Sequence, residues 1–204
     1  MKKSYIIIGV IVVLVLLLGF NGCNTYNSMV TLGENVDKSW AQVENQYQRR
    51  LDLIPNLVNT VKGYAEHESS TLESVTKARA GLSDAYNSAE QLKNGASPAD
   101  AQQFENYVAA QDRLKSAFDI YVNAVREAYP DLKANQNFID LQTQLEGTEN
   151  RIATERGRYT EAVQEYNVKV KRFPANLWAG MFGFSAKPQF KADAAAATAP
   201  KVEF

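Results

Sequence analysis

The sequence predicts an all-α protein, an up-and-down antiparallel four-helix bundle with long helices, preceded by an N-terminal membrane helix. Apolar residues recur in steps of three and four along most of the 204-residue chain, which is the spacing of one helix face. Alternating apolar and polar runs rich in β-branched residues, which would indicate strands, are missing from the sequence. Residues 5–20 (YIIIGVIVVLVLLLGF) carry no charge, as a membrane helix requires.

Residues 1–23 are predicted to form the membrane anchor. As a helix, the stretch from residue 4 to residue 23 is about 30 Å long, which matches the hydrocarbon core of a bilayer. A pair of lysines precedes the apolar run, and the next basic residue is Lys38. The positive-inside rule therefore predicts a single-pass membrane protein with a cytoplasmic N-terminus and an extracytoplasmic bundle. Because the bias rests on one pair of charges, the opposite orientation stays open.

Two alternatives to a spanning anchor remain. A cleaved signal peptide would fit the basic start and apolar run, but no A-x-A cleavage site follows. A lipoprotein anchored through Cys23 would fit a cysteine placed directly after an apolar run and Gly22, although Phe20 and Asn21 replace the usual leucine and small residue. Cys23 is therefore the lipidation candidate.

Residues 24–173 are predicted to form the bundle, and its first helix begins near Glu34. No Gly or Pro interrupts residues 34–54, so this helix either continues the membrane helix or is separated from it by a break at Gly33. Pro55 then lacks a backbone donor and should kink or restart the helix, at a cost of about 3 kcal/mol if unrelieved.

The second and third helices are separated by a predicted turn. Gly95 should provide a left-handed C-terminal turn, Ser97 an N-cap, and Pro98 the first helical position, with Asp100 facing the helix dipole. The third helix should end before the Tyr129-Pro130 pair, since proline disfavours a helical residue before it. Each of the two helices has a seam, a row of mostly apolar residues along one face. The seam of the second helix is Leu72, Val75, Arg79, Leu82, Tyr86 and Leu92, and that of the third is Phe104, Val108, Gln111, Leu114, Phe118, Tyr121 or Val122, and Val125.

The fourth helix has a seam from Phe138 to Phe173 that includes two polar positions, Thr148 and Glu155. A carboxylate in an apolar seam needs a cation or a hydrogen-bonded network. The alternative is that the gradual drift of the seam carries Glu155 to the surface. The candidate cations are Arg49, Arg50, Arg79 and Arg151.

The C-terminal part has two predicted segments. The aromatic segment at residues 174–186 either packs on the bundle or contacts the bilayer, because so many apolar side chains are unusual on a soluble surface. The Ala-rich stretch at residues 187–204 is expected to be a mobile tail.

Composition excludes several function classes. The 22 basic and 23 acidic residues give a net charge of −1, which predicts no nucleic-acid partner. One His and one Cys cannot form a four-cysteine zinc site, a CxxC pair or a bundle di-iron site, and the HExxH-like string at His67 has Thr71 at its fifth position. Phosphate-binding and nucleophile-elbow motifs are missing as well. We therefore expect no metal, no cofactor and no catalytic residues.

Four stretches resemble the LemA family of bacterial membrane proteins. RRLDLIPNLV at residues 49–58 and VKGYAEHE at residues 61–68 fill its core motif, and residues 129–152 and 173–184 are similar to two further family stretches. The resemblance covers most of the chain and implies a membrane-anchored bundle of long antiparallel helices. It implies no activity and no catalytic residues, and Cys23 is a departure that we do not carry over to the family.

The tandem arginines of this motif suggest specific pairings. Either arginine could pair with Asp52 or an acid of the fourth helix, and Asn56 could cap a helix restarted after Pro55. Tyr64, His67 and Glu68 are expected to face a partner. The interaction or structural motif comprises Arg49, Arg50, Asp52, Pro55, Asn56, Tyr64, His67, Glu68, Glu149, Arg151 and Glu155.

Three function classes follow from this sequence. The leading interpretation is a non-enzymatic scaffold or interaction module with protein partners in the envelope, because a clear fold signal stands beside no active-site signal. The second is a ligand-sensing domain with a small polar pocket near Pro55 and Glu155. An enzyme would need Arg49, Asp52 and Glu149 or Glu155 together in a cleft.

Overall fold

The computed structural model describes residues 2–65 and 73–191, and in this part of the chain every regular element is helical. The α-helices are α1 (Lys2–Ala65), α2 (Glu73–Leu92), α3 (Ala101–Ala128), α4 (Gln136–Lys171) and α5 (Ala175–Phe182). Short 3-10 turns follow α2 and α3. The predicted all-α class is confirmed. His67, Glu68, Leu72 and residues 192–204 of the predicted tail lie outside the described residues.

The chain divides into two compact units. The central unit is Asp37–Tyr159, and the terminal unit combines the described parts of Met1–Val36 and Thr160–Phe204. Helices α1 and α4 each contribute residues to both units. Each unit has its own packing and is considered separately below.

An apolar core in the central unit contains side chains from α1, α2, α3 and α4. Leu51 and Leu57 of α1, Leu82 of α2, Leu114 of α3 and Leu145 of α4 are all buried in it. Burying a leucine stabilises the folded state by roughly 1.5–3 kcal/mol relative to leaving it exposed. The seams seen in the sequence therefore supply the side chains that hold these helices together.

Helix α1 continues through Pro55 without restarting, contrary to one of the two outcomes that the sequence suggested. Pro55 has no N–H to donate to the Leu51 carbonyl four residues earlier. The Asn56 side chain donates to the neighbouring Asp52 carbonyl oxygen at 3.3 Å, which does not replace that missing bond. Ile54 and Leu57, on either side of the proline, are buried in the core. Packing on both sides of Pro55 thus stabilises a helix that local propensity disfavours.

The turn between α2 and α3 differs from the prediction. Helix α3 begins at Ala101, and Asp100 is its N-cap, accepting hydrogen bonds from the backbone N–H groups of Gln102 and Gln103. Ser97 instead accepts from the Ala99 N–H within the turn, so Ser97 and Pro98 precede the helix. Among the described residues the only positive φ is at Gly183, so the predicted left-handed turn at Gly95 is wrong.

The later helix boundaries follow the prediction closely. Helix α3 ends at Ala128, before the Tyr129-Pro130 pair, and Pro130 opens a 3-10 turn. Helix α4 ends at Lys171, two residues before Phe173. Proline fixes both boundaries because it disfavours a helical conformation at the residue before it.

In the terminal unit, α5 packs on the N-terminal part of α1. The Trp178 ring lies so close to Gly22 that a Cβ there would be 3.0 Å from the ring. Tyr26 meets Phe182 and Phe184 edge-on, with centroids 5.0 and 5.5 Å apart. The aromatic segment therefore packs on α1, one of the two placements expected for it.

The chain after α5 is attached to α4. The Lys187 N–H donates to the Asn167 side-chain oxygen at 2.8 Å, and the Asn167 amide donates to the Lys187 carbonyl at 2.9 Å. The sequence placed the start of a mobile tail at residue 187. This pair of bonds holds Lys187 in place, because a side-chain amide that bonds both backbone groups of one residue acts like a strand partner.

The N-terminal part of α1 exposes large apolar side chains along its length. The described large side chains between Tyr5 and Phe20 are 50–76% exposed. By length and composition this part of α1 could cross a membrane.

Candidate functional site

A buried arginine cluster joins three helices of the central unit. Arg50 of α1 is only 2% exposed. Its Nη1 donates to both carboxylate oxygens of Glu149 on α4, at 2.9 and 3.2 Å. Its Nη2 donates to the Gln111 side-chain oxygen at 2.6 Å and to the Gln111 backbone carbonyl at 3.0 Å, on α3. We call Arg50, Gln111 and Glu149 the arginine cluster.

The Arg50 guanidinium lies beside aromatic side chains and is largely shielded from solvent. The guanidinium carbon lies 5.2 Å from the centroid of the Tyr47 ring, a distance at which the ring face attracts a cation. Tyr47 in turn meets Tyr107 edge-on, with centroids 5.7 Å apart. Burial raises the pKa of Tyr47 and of Tyr107 to about 12, so both phenols stay neutral and the carboxylate that balances Arg50 is that of Glu149.

Further polar contacts surround the cluster. Arg151 of α4 donates to the Gln46 side chain at 3.2 Å and to Thr148 Oγ1 at 3.2 Å. Arg156, also of α4, bonds Asp112 of α3 at 3.0 Å. These contacts tie α1 and α3 to α4. They orient the helices around Arg50 and keep them in the register in which the Arg50 guanidinium reaches Gln111 and Glu149.

The tandem arginines have different environments. Arg50 faces the core, whereas Arg49 is exposed on the helix surface. Asp52 is exposed too and accepts a hydrogen bond from the Gln48 side chain at 2.7 Å, so it does not pair with Arg50. Of the pairings suggested by the sequence, the structure contains the one between Arg50 and an acid of the fourth helix.

Asn56 and Tyr64 do not occupy their expected positions. Asn56 lies inside a continuous helix and donates to a carbonyl one turn earlier, so it is not an N-cap. Tyr64 is half-buried and packs edge-on against Tyr129, with centroids 6.0 Å apart, instead of standing free to meet a partner. His67 and Glu68 of the same group lie outside the described residues.

The polar seam of α4 is satisfied locally. Thr148 is fully buried, and its hydroxyl donates to the Gln144 carbonyl at 2.8 Å while accepting from Arg151. The Glu155 side chain is 15% exposed and pairs with Arg158 at 2.8 Å. Arg158 was not among the four arginines that the sequence suggested as partners for this carboxylate. A neighbour one turn away on the same helix therefore provides the cation that this carboxylate needs.

Two adjoining depressions form a groove between α1 and α2, with volumes of about 210 and 400 Å³. Val58, Lys62 and Arg79 line both, so the groove is apolar at its base and cationic at its edge. Pro55 lines the larger depression, whereas Glu155 lines neither, so these depressions are not the pocket near both residues that the sequence suggested. We call this the α1–α2 groove.

Sequence reasoning missed the role of Gln111. This residue occupies an apolar seam position of α3 and is fully buried. An amide in such a position is a signal, because a buried amide needs hydrogen-bond partners. The signal could have suggested a buried polar partner, although it could not have identified Arg50.

The remaining site expectations concern Cys23 and metals. Cys23 is an exposed free thiol within α1, and the helix passes through it without a break. Within residues 2–65 and 73–191, no group of three or more His, Cys, Asp or Glu side chains is arranged to hold a metal ion.

Comparison with known proteins shows that residues 39–204 match the LemA family model. The curated relatives include Magnetosome protein MamQ 2 and Magnetosome protein MamQ 1 of Paramagnetospirillum magneticum, each 29% identical over 176 residues. Magnetosome protein MamQ of Magnetospirillum gryphiswaldense is 27% identical over 175 residues. Each alignment covers 81% of this chain and 64% of the relative, so the chain spans just under two thirds of the length of these relatives.

Proposed function

This chain belongs to the LemA family, and we propose that it is a membrane-anchored, non-enzymatic scaffold or interaction module of the bacterial cell envelope. In this proposal α1 crosses the inner membrane once, and α1–α4 form an up-and-down antiparallel four-helix bundle outside the cytoplasm with coiled-coil-like seams. The similarity to magnetosome proteins supports a membrane setting. The single span and its lysine-flanked N-terminus support the orientation.

The arginine cluster is the observation that carries the proposal. Both terminal nitrogens of Arg50 are engaged with protein groups, Nη1 with Glu149 and Nη2 with Gln111. A guanidinium that binds a substrate would need free N–H groups directed into a cleft. The most distinctive charged residue of the family motif is thus used to join helices. This supports a role in which the shape of the helical unit matters.

Protein partners would meet the exposed surface of the central unit. Ile120 of α3 is 62% exposed and Ile139 of α4 is 38% exposed. Exposed large apolar residues are where interfaces bury surface most favourably. We therefore propose that Ile120 and Ile139 lie where the central unit contacts other envelope proteins.

Site-specific photo-crosslinking in intact membranes tests this proposal. A photoreactive amino acid at Ile120 or Ile139 should give a discrete adduct with the same partner in repeated experiments. The matched control is the same probe at Arg113, an exposed charged residue of α3. If all three positions give no adduct, or the same diffuse adducts, the proposed protein partner is ruled out at this surface.

The α1–α2 groove favours a second candidate, an envelope ligand-sensing domain. Its cationic edge, formed by Lys62 and Arg79, suits a small anionic molecule with an apolar part that would cover Val58. A thermal-shift screen of short-chain carboxylates would test it. Binding should raise the melting temperature of the parent protein but not of Arg79→Ala, and Lys77→Ala, an exposed cation outside the groove, should behave like the parent.

A further inference from the structure

Helix α5 has two different faces. Ala175 and Ala179 are buried against the rest of the terminal unit, and Trp178 rests on Gly22 of α1. On the other side, Leu177 is 62% exposed and Met181 is 69% exposed. They are four positions apart and therefore lie on one face of the helix, which we call the α5 stripe. Phe173, in the turn before the helix, is 75% exposed as well.

The α5 stripe lies at the end of the apolar surface of α1. Gly22, against which Trp178 packs, is two residues beyond Phe20, which is itself 76% exposed. Along α1, the distance from Tyr5 to Gly22 is about 26 Å at 1.5 Å per residue, close to the ~30 Å thickness of the hydrocarbon core. The inference rests on the proposed function, in which the apolar part of α1 fills the hydrocarbon core. Helix α5 is then held at the boundary between acyl chains and headgroups.

The charges around α5 suit an anionic lipid surface. Between Tyr166 and Lys191 the sequence contains no Asp or Glu. The basic residues of this stretch, which lie on both sides of the aromatic segment, are Lys169, Lys171, Arg172, Lys187 and Lys191. An uncharged apolar helix flanked only by cations matches the chemistry of an anionic headgroup layer over acyl chains.

We propose that α5 is an interfacial helix, lying in the headgroup boundary of the bilayer that α1 crosses, with the α5 stripe in contact with acyl chains. The occupant of this face is the lipid surface itself. Continuity with the exposed apolar surface of α1 and the lack of acidic residues both favour lipid over a protein partner. In this proposal the aromatic segment meets both expectations from the sequence. One face of α5 packs on α1, and the opposite face contacts the bilayer.

Nitroxide labels on the full chain in phosphatidylethanolamine–phosphatidylglycerol vesicles test this proposal. In a Cys23→Ser background, one label is placed at Leu177→Cys and a control label at Ile120→Cys, since both residues are apolar and 62% exposed. Relaxation by oxygen, which concentrates in acyl chains, is compared with relaxation by a water-soluble nickel chelate. We expect oxygen to dominate at position 177 and the nickel chelate to dominate at position 120.

Other results would overturn the inference. A label at position 177 that is relaxed mainly by the nickel chelate, while a label at Val13→Cys in the apolar part of α1 is relaxed by oxygen, shows that α5 faces water although α1 crosses the bilayer. Nickel-dominated relaxation at both positions would instead contradict the proposed membrane anchor. A label shielded from both reagents is covered by protein, such as a second copy of the chain. Met181→Cys repeats the test on the same stripe if the first variant misfolds, with Trp178 fluorescence in a Trp40→Phe background reporting that α5 remains docked.

Discussion

Arg50 and Glu149 form an ion pair at 2.9 Å although 99 residues separate them in the sequence. The arginine is 2% exposed and the carboxylate 24% exposed, so water screens this pair little on the arginine side. A buried guanidinium is tolerated when most of its donors are satisfied. Glu149 accepts from Nη1 and Gln111 from Nη2, whereas the buried Nε has no hydrogen-bond partner in the described part of the chain. The pair therefore fixes the register of α1 against α4, and several measurable consequences follow.

Removing one side of the pair should be costly. We expect Arg50→Leu to lower the free energy of unfolding by about 3–5 kcal/mol, because it leaves a partly buried carboxylate and the Gln111 acceptors unpaired. Urea unfolding of the full chain in detergent micelles would measure the loss. As a control, Lys115→Ala breaks the exposed pair with Asp119 and should cost only about 0–1 kcal/mol. Equal losses for the two variants would contradict the structural role of Arg50.

Replacing the whole cluster should be less harmful than removing one member. We expect the triple variant Arg50→Leu, Gln111→Leu and Glu149→Leu to recover part of the stability lost in Arg50→Leu, since no buried charge remains without a partner. The same urea titration measures this. A triple variant whose loss equals the sum of three independent losses would show that the residues do not act as one cluster.

A side chain at Gly22 should force the Trp178 ring to move by a few tenths of an ångström. A Cβ at Gly22 would meet the Trp178 ring at 3.0 Å, whereas a Cβ at Gly19 would meet nothing within 4 Å. With Trp40→Phe leaving Trp178 as the only tryptophan, Gly22→Ala should shift Trp178 emission and increase protease cleavage after α5. Gly19→Ala, the matched control, should leave both readouts unchanged. An unaltered spectrum for Gly22→Ala would refute the contact.

Alkaline pH should destabilise the central unit. Burial raises the pKa of Tyr47, Tyr107 and Tyr121 to about 12, above the ordinary value of 10.0. The folded state therefore keeps these protons longer than the unfolded state. Their contribution to stability is full below pH 10 and is lost as pH rises through about 12.

Absorbance of tyrosinate near 295 nm measures this effect. The buried tyrosines should ionise only as the protein unfolds, so their absorbance change and the loss of helical circular dichroism should coincide. Tyr47→Phe should reduce the slope of stability against pH above pH 10. If all ten tyrosines titrate together near pH 10 while the helices stay intact, the burial of these phenols is wrong.

Substitutions at Ser97 and Asp100 should show which of the two residues is the N-cap of α3. Asp100 accepts from two backbone N–H groups, so Asp100→Ala should cost about 1 kcal/mol. Asp100→Asn should retain most of that stability, since asparagine is an equally good N-cap. Ser97→Ala should cost clearly less, because Ser97 accepts only one bond within the preceding turn. Thermal unfolding ranks the three variants, and a larger loss for Ser97→Ala would restore the interpretation from sequence.

Much of the core was predictable because helical periodicity is a local property. Phe104, Leu114, Phe118 and Val125 were assigned to one seam, and all are buried. The end of α3 was predictable for the same reason, because proline restricts the conformation of the residue directly before it. The cap of α3 was missed because Ser97 and Asp100 are both good caps, and the sequence does not say which one the packed turn uses.

The sequence by itself determined the all-α class, the apolar length of α1 and the LemA family, since these depend on residue spacing and local motifs. Tertiary structure alone decided which of the adjacent arginines 49 and 50 is buried with Gln111 and Glu149, and that Trp178 packs on Gly22. Each of these relationships is a distance between residues far apart in the chain. Such distances arise only when the helices have packed, because each side chain then finds its partner on another helix.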